Sequence, residues 1–165
     1  MLRSKSLHAL AVGLLVSPSL VFAAVASPAR SRHRSVHGHI VSTLLTGAEC
    51  TSPVGLCTHG HFTGDIRGTF VFTATTLTPS ADTPQTGVVH YTGDISIKTS
   101  HGDVTIKDAG AFNSLPAGTG DVGAVSTIVG GSGRYASASG HIRIAGTFTP
   151  EDGGDSEYTG EIQFQ

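Results

Sequence analysis

A chain of 165 residues is enough for one domain. From Ser35 onward, twelve acidic residues stand against five basic ones, Arg67, Lys98, Lys107, Arg134 and Arg143, a net charge of −7 with histidine neutral. A body of that sign repels phosphate backbones, which excludes nucleic acid as a partner class. Glycine is abundant, with 22 residues, and tryptophan is absent.

In chain order, residues 1–26 read as a secretory signal peptide. Arg3 and Lys5 form a positive start, an apolar run follows, and Ala24-Val25-Ala26 ends it as a small-x-small cleavage pattern. Pro18 and its neighbouring serines, with the short apolar run, disfavour the alternative of an uncleaved membrane anchor. No membrane span is expected after cleavage, and the expected location is extracellular. Residues 27–35, "SPARSRHRS", lack apolar periodicity and read as a flexible basic arm. The remainder, 36–165, is the folded domain.

Cys50 and Cys57 bracket a segment containing Pro53 and Gly55. In an exported chain two cysteines are expected to join. Closing so short a loop contributes ~2–3 kcal/mol on the chain-entropy model. The spacing suits neither a Cys-x-x-Cys redox pair nor a zinc knuckle.

Helical periodicity is absent beyond the leader. Short alternating segments replace it: "HIVSTLL", "HFTGDIRGTFVFTATTL" broken at Gly64 or Gly68, "GVVHYTGDISIKT", "DVTIKDAG", "VGAVSTIV", "GHIRIAGTFT" and "SEYTGEIQF". "SHG" and "PEDGGD" are turns between them. Counting the break, about eight strands with close turns and no helices predict an all-β, antiparallel fold. Eight strands can close into a barrel that is filled by side chains or holds one small ligand.

One pattern recurs three times: "FTGDI" at 62–66, "YTGDI" at 91–95 and "YTGEI" at 158–162. Asp65, Asp94 and Glu161 are therefore candidate metal ligands or catalytic acids. Strand alternation predicts otherwise. Tyr91, Gly93 and Ile95 share one face, as do Tyr158, Gly160 and Ile162, and the carboxylates take the other with threonine. The aromatic and isoleucine point inward, and glycine permits bending or makes room for a neighbouring ring. The repeats are scaffold by this reading.

"VSTIVGGSGRYASASGHIRIAGTF" (125–148) is the most distinctive segment. A strand runs into Gly130, Gly131 and Gly133, then a turn carrying Tyr135, then another strand. It resembles the strand–GGTGxF–strand element of the allene oxide cyclase/dirigent-like β-barrel superfamily, especially its small secreted bacterial members. The resemblance covers about a sixth of the chain closely, and strand number agrees more loosely. It implies an eight-stranded antiparallel barrel with a partly apolar cavity, acting on or orienting small apolar molecules, and it makes a homo-oligomer compatible. Outside the glycine turn no family motif matches, so no catalytic residue is carried over. The glycines serve the turn's geometry, and Tyr135 is expected to plug one barrel end. A phosphate loop would need a helix start and a Gly-Lys-Ser/Thr ending, and neither is present.

Two His-x-His pairs, His37/His39 and His59/His61, can each aim two imidazoles one way from a strand. His59/His61 followed by Asp65 loosely match the first cupin metal motif, and "GAFNSLPAG" the second. Glutamate is missing from the first, and Asp121 stands where the second needs histidine. Surface histidines are the preferred reading, with no metal or cofactor assigned. No nucleophile elbow or Ser-His-Asp set occurs.

The leading functional expectation is a secreted barrel binding a small apolar or aromatic molecule through inward Phe70, Phe72, Tyr91, Phe148 and Tyr158. A cyclase or isomerase is the alternative. It needs a polar group inside the cavity, for which Tyr91 and Tyr158 are the inward candidates. A non-catalytic extracellular interaction protein, associating through its threonine-rich outer faces, is the third. An open cavity favours the first two and a packed interior the third.

Overall fold

A computed structural model describes residues 32–82, 87–113, 120–149 and 151–164. The leader and most of the basic arm lie outside the described residues. Eight strands follow one another: β1 Arg32–Leu44, β2 Cys57–Gly64, β3 Gly68–Pro79, β4 Val88–Thr99, β5 Gly102–Asn113, β6 Gly120–Gly131, β7 Ser139–Thr149 and β8 Gly153–Phe164. Each pairs antiparallel with its sequence neighbours, and β1 pairs with β8 to close the barrel. The expected break in the long second segment falls between Gly64 and Gly68, where the β2–β3 hairpin turns.

Two sequence expectations need correction. The basic arm was expected to stay flexible through Ser35, yet Arg32–Ser35 already belong to β1 and pair with Phe164–Glu161. Without them, β8 would expose unpaired backbone donors and acceptors at its end, the liability that barrel closure removes. The cupin-like reading also fails. A cupin is a double-sheet jelly roll, whereas here every strand pairs with its neighbours in sequence.

The barrel has two different ends. At one, the 3-10 turn Gly133–Tyr135 tucks Tyr135 inward, 6% exposed, with its ring 5.9 Å from that of Phe164. Positive φ at Gly130 (129°) and Gly133 (54°) lets the chain leave β6 and reverse. Ser132 fastens the turn to the β4–β5 hairpin: its N–H donates to Asp103 O at 2.9 Å, and its Oγ accepts from Asp103 N–H at 2.9 Å. We call this the plug end.

At the other end, Cys50 and Cys57 are joined, tying the loop between β1 and β2 to the first residue of β2. Ser52 Oγ donates to Ala74 O at 2.6 Å, and Ala74 N–H donates to Leu56 O at 3.0 Å. The register of β3 against β4 slips between Ala74 and Thr76. The extra residue brings both Thr75 and Thr76 within 2.8 Å of Thr92 Oγ1. Such a bulge bends the strand and sharpens its twist.

The repeats behave as scaffold. Phe62, Ile66, Tyr91, Ile95, Tyr158 and Ile162 are all buried. Asp94 faces outward and pairs with Lys107 on β5, and Glu161 is exposed. The three glycines differ in use. Gly93 leaves room for the Phe72 ring, and Gly160 lets the β7 backbone approach. Gly64, at φ 97°, ends its strand.

Candidate functional site

At the disulfide end the interior is not filled. A cavity of about 90 Å³ lies among residues of all eight strands and Leu56 of the disulfide loop. Its walls are mainly apolar, with Phe70, Phe72, Phe112 and Phe148 supplying the rings. These aromatics touch in a chain: Phe72–Tyr91 at 5.6 Å, Tyr91–Phe112 at 6.1 Å and Phe112–Phe148 at 6.4 Å between centroids. Of the five aromatics expected to line a cavity, Phe70, Phe72, Tyr91 and Phe148 do so.

Tyr158 does not line the cavity. Its hydroxyl reaches toward the plug end, where it accepts from Ile66 N–H at 2.8 Å. Thr63 O and Ile66 O lie at 3.1 and 3.2 Å as acceptors for its proton. The ring packs on Phe62 at 5.3 Å. Burial pushes the phenol's pKa up, so Tyr158 keeps its proton and acts as a strut.

One residue that the repeat pattern did not single out gives the cavity its chemistry. Asp108 is 6% exposed and lies on the inner face of β5, in line with Val104 and Ile106. Ser126 Oγ donates to its Oδ1 at 2.6 Å. The Tyr91 hydroxyl and Ala109 N–H donate to the same carboxyl. The arrangement depends on two missing side chains. Asp108 stands directly opposite Gly93 on one side and Ser126 on the other. A Cβ on Gly110 would sit 2.7 Å from the Tyr91 hydroxyl oxygen, so glycine there opens the berth that the phenol occupies. The strict alternation of "DVTIKDAG" carried this signal, since it puts Asp108 on the same face as Val104 and Ile106.

Burial raises the Asp108 pKa and outweighs the hydrogen bonds from Ser126, Tyr91 and Ala109, which lower it. The same burial, with the Asp108 charge beside it, pushes the Tyr91 phenol up. The folded protein therefore holds the Asp108 proton to higher pH than the unfolded chain, whose aspartate titrates near ~3.9. In that window the native state binds more protons, so this group's contribution to stability falls as pH rises. Asp108→Asn removes that dependence. Thermal melts of both proteins from pH 3.5 to 7 are expected to show the asparagine variant gaining on the wild type as pH rises. The opposite trend would mean that the three donors outweigh burial.

The histidine pairs lie on the outer face of β1 and β2. His37, His39, His59 and His61 are all exposed. His59 contacts Thr43 Oγ1 at 3.0 Å, and His37 Nδ1 lies 3.0 Å from Asp65. Asp121 points outward on β6. Among the described residues, no three of His, Cys, Asp or Glu are grouped to hold a metal ion. No helix among them is long and apolar enough to cross a membrane.

No protein-family model matches the chain, and no curated protein matches it. Among solved structures, a pterocarpan synthase dirigent protein is similar over 85% of this chain and 89% of its own, with 12% sequence identity and a TM-score of 0.36. The chain is an all-β protein, a closed eight-stranded antiparallel barrel.

Proposed function

We propose that the protein is an exported barrel that binds a small aromatic molecule bearing one polar group, taken in at the disulfide end. Asp108 is the observation that carries this reading. A carboxyl buried among aromatic rings costs several kcal/mol unless hydrogen-bonded, and an apolar residue would fill the space without that cost. Held by Ser126 from behind, it joins Tyr91 and the hydroxyls of Ser42, Thr58, Thr147 and Ser156 as the few polar groups of a mostly apolar cavity, the usual composition of a small-molecule site.

Size narrows the ligand. About 90 Å³ is less than the ~150 Å³ apolar cavity that holds benzene. It is also well below the ~300 Å³ at which drug-sized sites begin. A single ring seats partly inside with its substituents at the open end, and a long chain cannot fold up within. That bound disfavours a cyclase acting on an extended substrate. It leaves an isomerase reading for small phenols, in which Asp108 gives its proton to one atom of the bound molecule and, as the carboxylate so formed, takes one back from another. The interaction-protein reading is disfavoured by the open interior.

Titration with phenol is the test, followed by melting temperature and by amide shifts in NMR. Phenol is expected to stabilise the protein and to move amides near Thr58, Val122 and Thr147. Ile144→Phe, which fills the cavity, is expected to abolish the effect. Asp108→Asn is expected to weaken phenol at least tenfold while leaving benzene unchanged. Equal phenol binding by wild type and Ile144→Phe would end the proposal. Export is checked separately: the mature protein should begin at Ser27.

A further inference from the structure

The plug end carries a second depression, about 320 Å³, with three arginines on its walls: Arg34, Arg67 and Arg134. Asp65 is the one carboxylate lining it among the described residues. Among the described residues the excess there is two positive charges, on a domain whose total is strongly negative. Chain order hides this, because the three arginines come from β1, the β2–β3 hairpin and the turn before β7.

Asp65 is already committed. Its Oδ1 accepts from Arg34 Nη2 at 2.6 Å, and its Oδ2 accepts from the His37 N–H at 3.1 Å with His37 Nδ1 at 3.0 Å. The His37 N–H, above all, holds its pKa below the usual carboxylate value. Asp65 therefore stays ionised and fixes Arg34 on the wall, without reaching the other two. Arg67 and Arg134 have no carboxylate partner among the described residues. Arg134 is nonetheless positioned: its guanidinium carbon lies 5.0 Å from the Phe164 ring centroid, and its backbone N–H donates to His101 O at 2.9 Å. Val36, Ile66, Tyr135, Ile162 and Phe164 supply an apolar floor.

Guanidinium forks match the paired oxygens of carboxylate, sulfate and phosphate. A floor of rings and aliphatic carbons beneath them suits an apolar body attached to that group. We propose that the plug end binds a small amphipathic anion, its oxyanion held by Arg67 and Arg134 and its apolar part resting on Phe164 and Ile162. The recognition is by side chains. The glycines of the 130–133 turn shape the chain and contribute no phosphate cradle. This site is separate from the interior cavity, and the plug of Tyr135 and Tyr158 lies between them.

The test is NMR titration of the full exported chain with phenyl phosphate, inorganic phosphate and phenol. Phenyl phosphate is expected to give saturable shifts at the amides of Thr99–His101 and Gly133–Tyr135. Inorganic phosphate is expected to bind there at least tenfold more weakly, and phenol not at all. Arg67→Gln and Arg134→Gln, both exposed positions, are each expected to weaken phenyl phosphate at least fivefold. The pair together should abolish its binding while phenol shifts at the disulfide end remain. Retained phenol shifts also show that the double variant is folded. Unchanged phenyl phosphate affinity in that variant, or equal affinity for inorganic phosphate, would overturn the proposal. So would the absence of any saturable shift at the plug end with phenyl phosphate.

Discussion

Tyr158→Ala is expected to cost the barrel about 3–5 kcal/mol, the range for deleting a buried aromatic from a core. The loss has two parts. The ring is 1% exposed and packs on Phe62, which itself meets Phe70 edge-on at 5.2 Å. Removing it opens a void under the β1–β2 wall. The hydroxyl is the partner of the buried Ile66 N–H, which loses its acceptor when the hydroxyl is removed. Tyr158→Phe separates the two parts. It keeps the ring and strands the amide, for an expected loss of about 1–3 kcal/mol. Urea unfolding of the three proteins checks both numbers. Because Tyr158→Phe keeps the ring that packs on the cavity-lining Phe62, phenol binding by its folded fraction should not change. If Tyr158→Phe were as stable as wild type, the hydroxyl would have no structural role.

Gly93→Val is expected to destabilise by about 1–3 kcal/mol or more, the range for overpacking. It should also disable the proposed site, a consequence that Tyr158→Phe lacks. A Cβ on Gly93 would lie 2.4 Å from the Phe72 ring and 2.7 Å from Thr73 O. Phe72 can relieve the contact only by moving into the cavity it lines, against Tyr91. Gly93 also stands directly opposite Asp108, so displacing these rings disturbs the Tyr91 hydroxyl. Loss of phenol binding with a lowered urea midpoint is the expected joint result. Asp94→Asn, one residue along on the wet face, should move stability by no more than ~1 kcal/mol, since an exposed ion pair contributes little. Similar effects at the two positions would place the wrong residue inside.

Alternation along single strands determined much of this protein from sequence alone. The period of two that separates Tyr91 and Ile95 from Asp94 is local, and so are the turn residues between strands. Together with strand number they were sufficient for an antiparallel all-β fold and for the inward faces of the repeats. Closure into a barrel was what the resemblance of residues 125–148 implied, and the pairing of Cys50 with Cys57 followed from the expected export of a chain with two cysteines. The same alternation contained Asp108, but repetition marks Asp65, Asp94 and Glu161, and Asp108 stands in no repeat. Tertiary structure decided what a period of two cannot express. Alternation tells which face a side chain takes, but not its height along the barrel or what stands across from it. Tyr91 and Tyr158 occupy the same place in their repeats. Register nonetheless sends one hydroxyl to Asp108 in the cavity and the other to Ile66, 92 residues away in sequence. Arg34, Arg67 and Arg134 likewise become neighbours only when β1 closes on β8 and the β6–β7 turn folds over the end. The hollow interior has the same origin, since its volume is the difference between a barrel radius set by eight paired strands and the summed size of side chains from all of them.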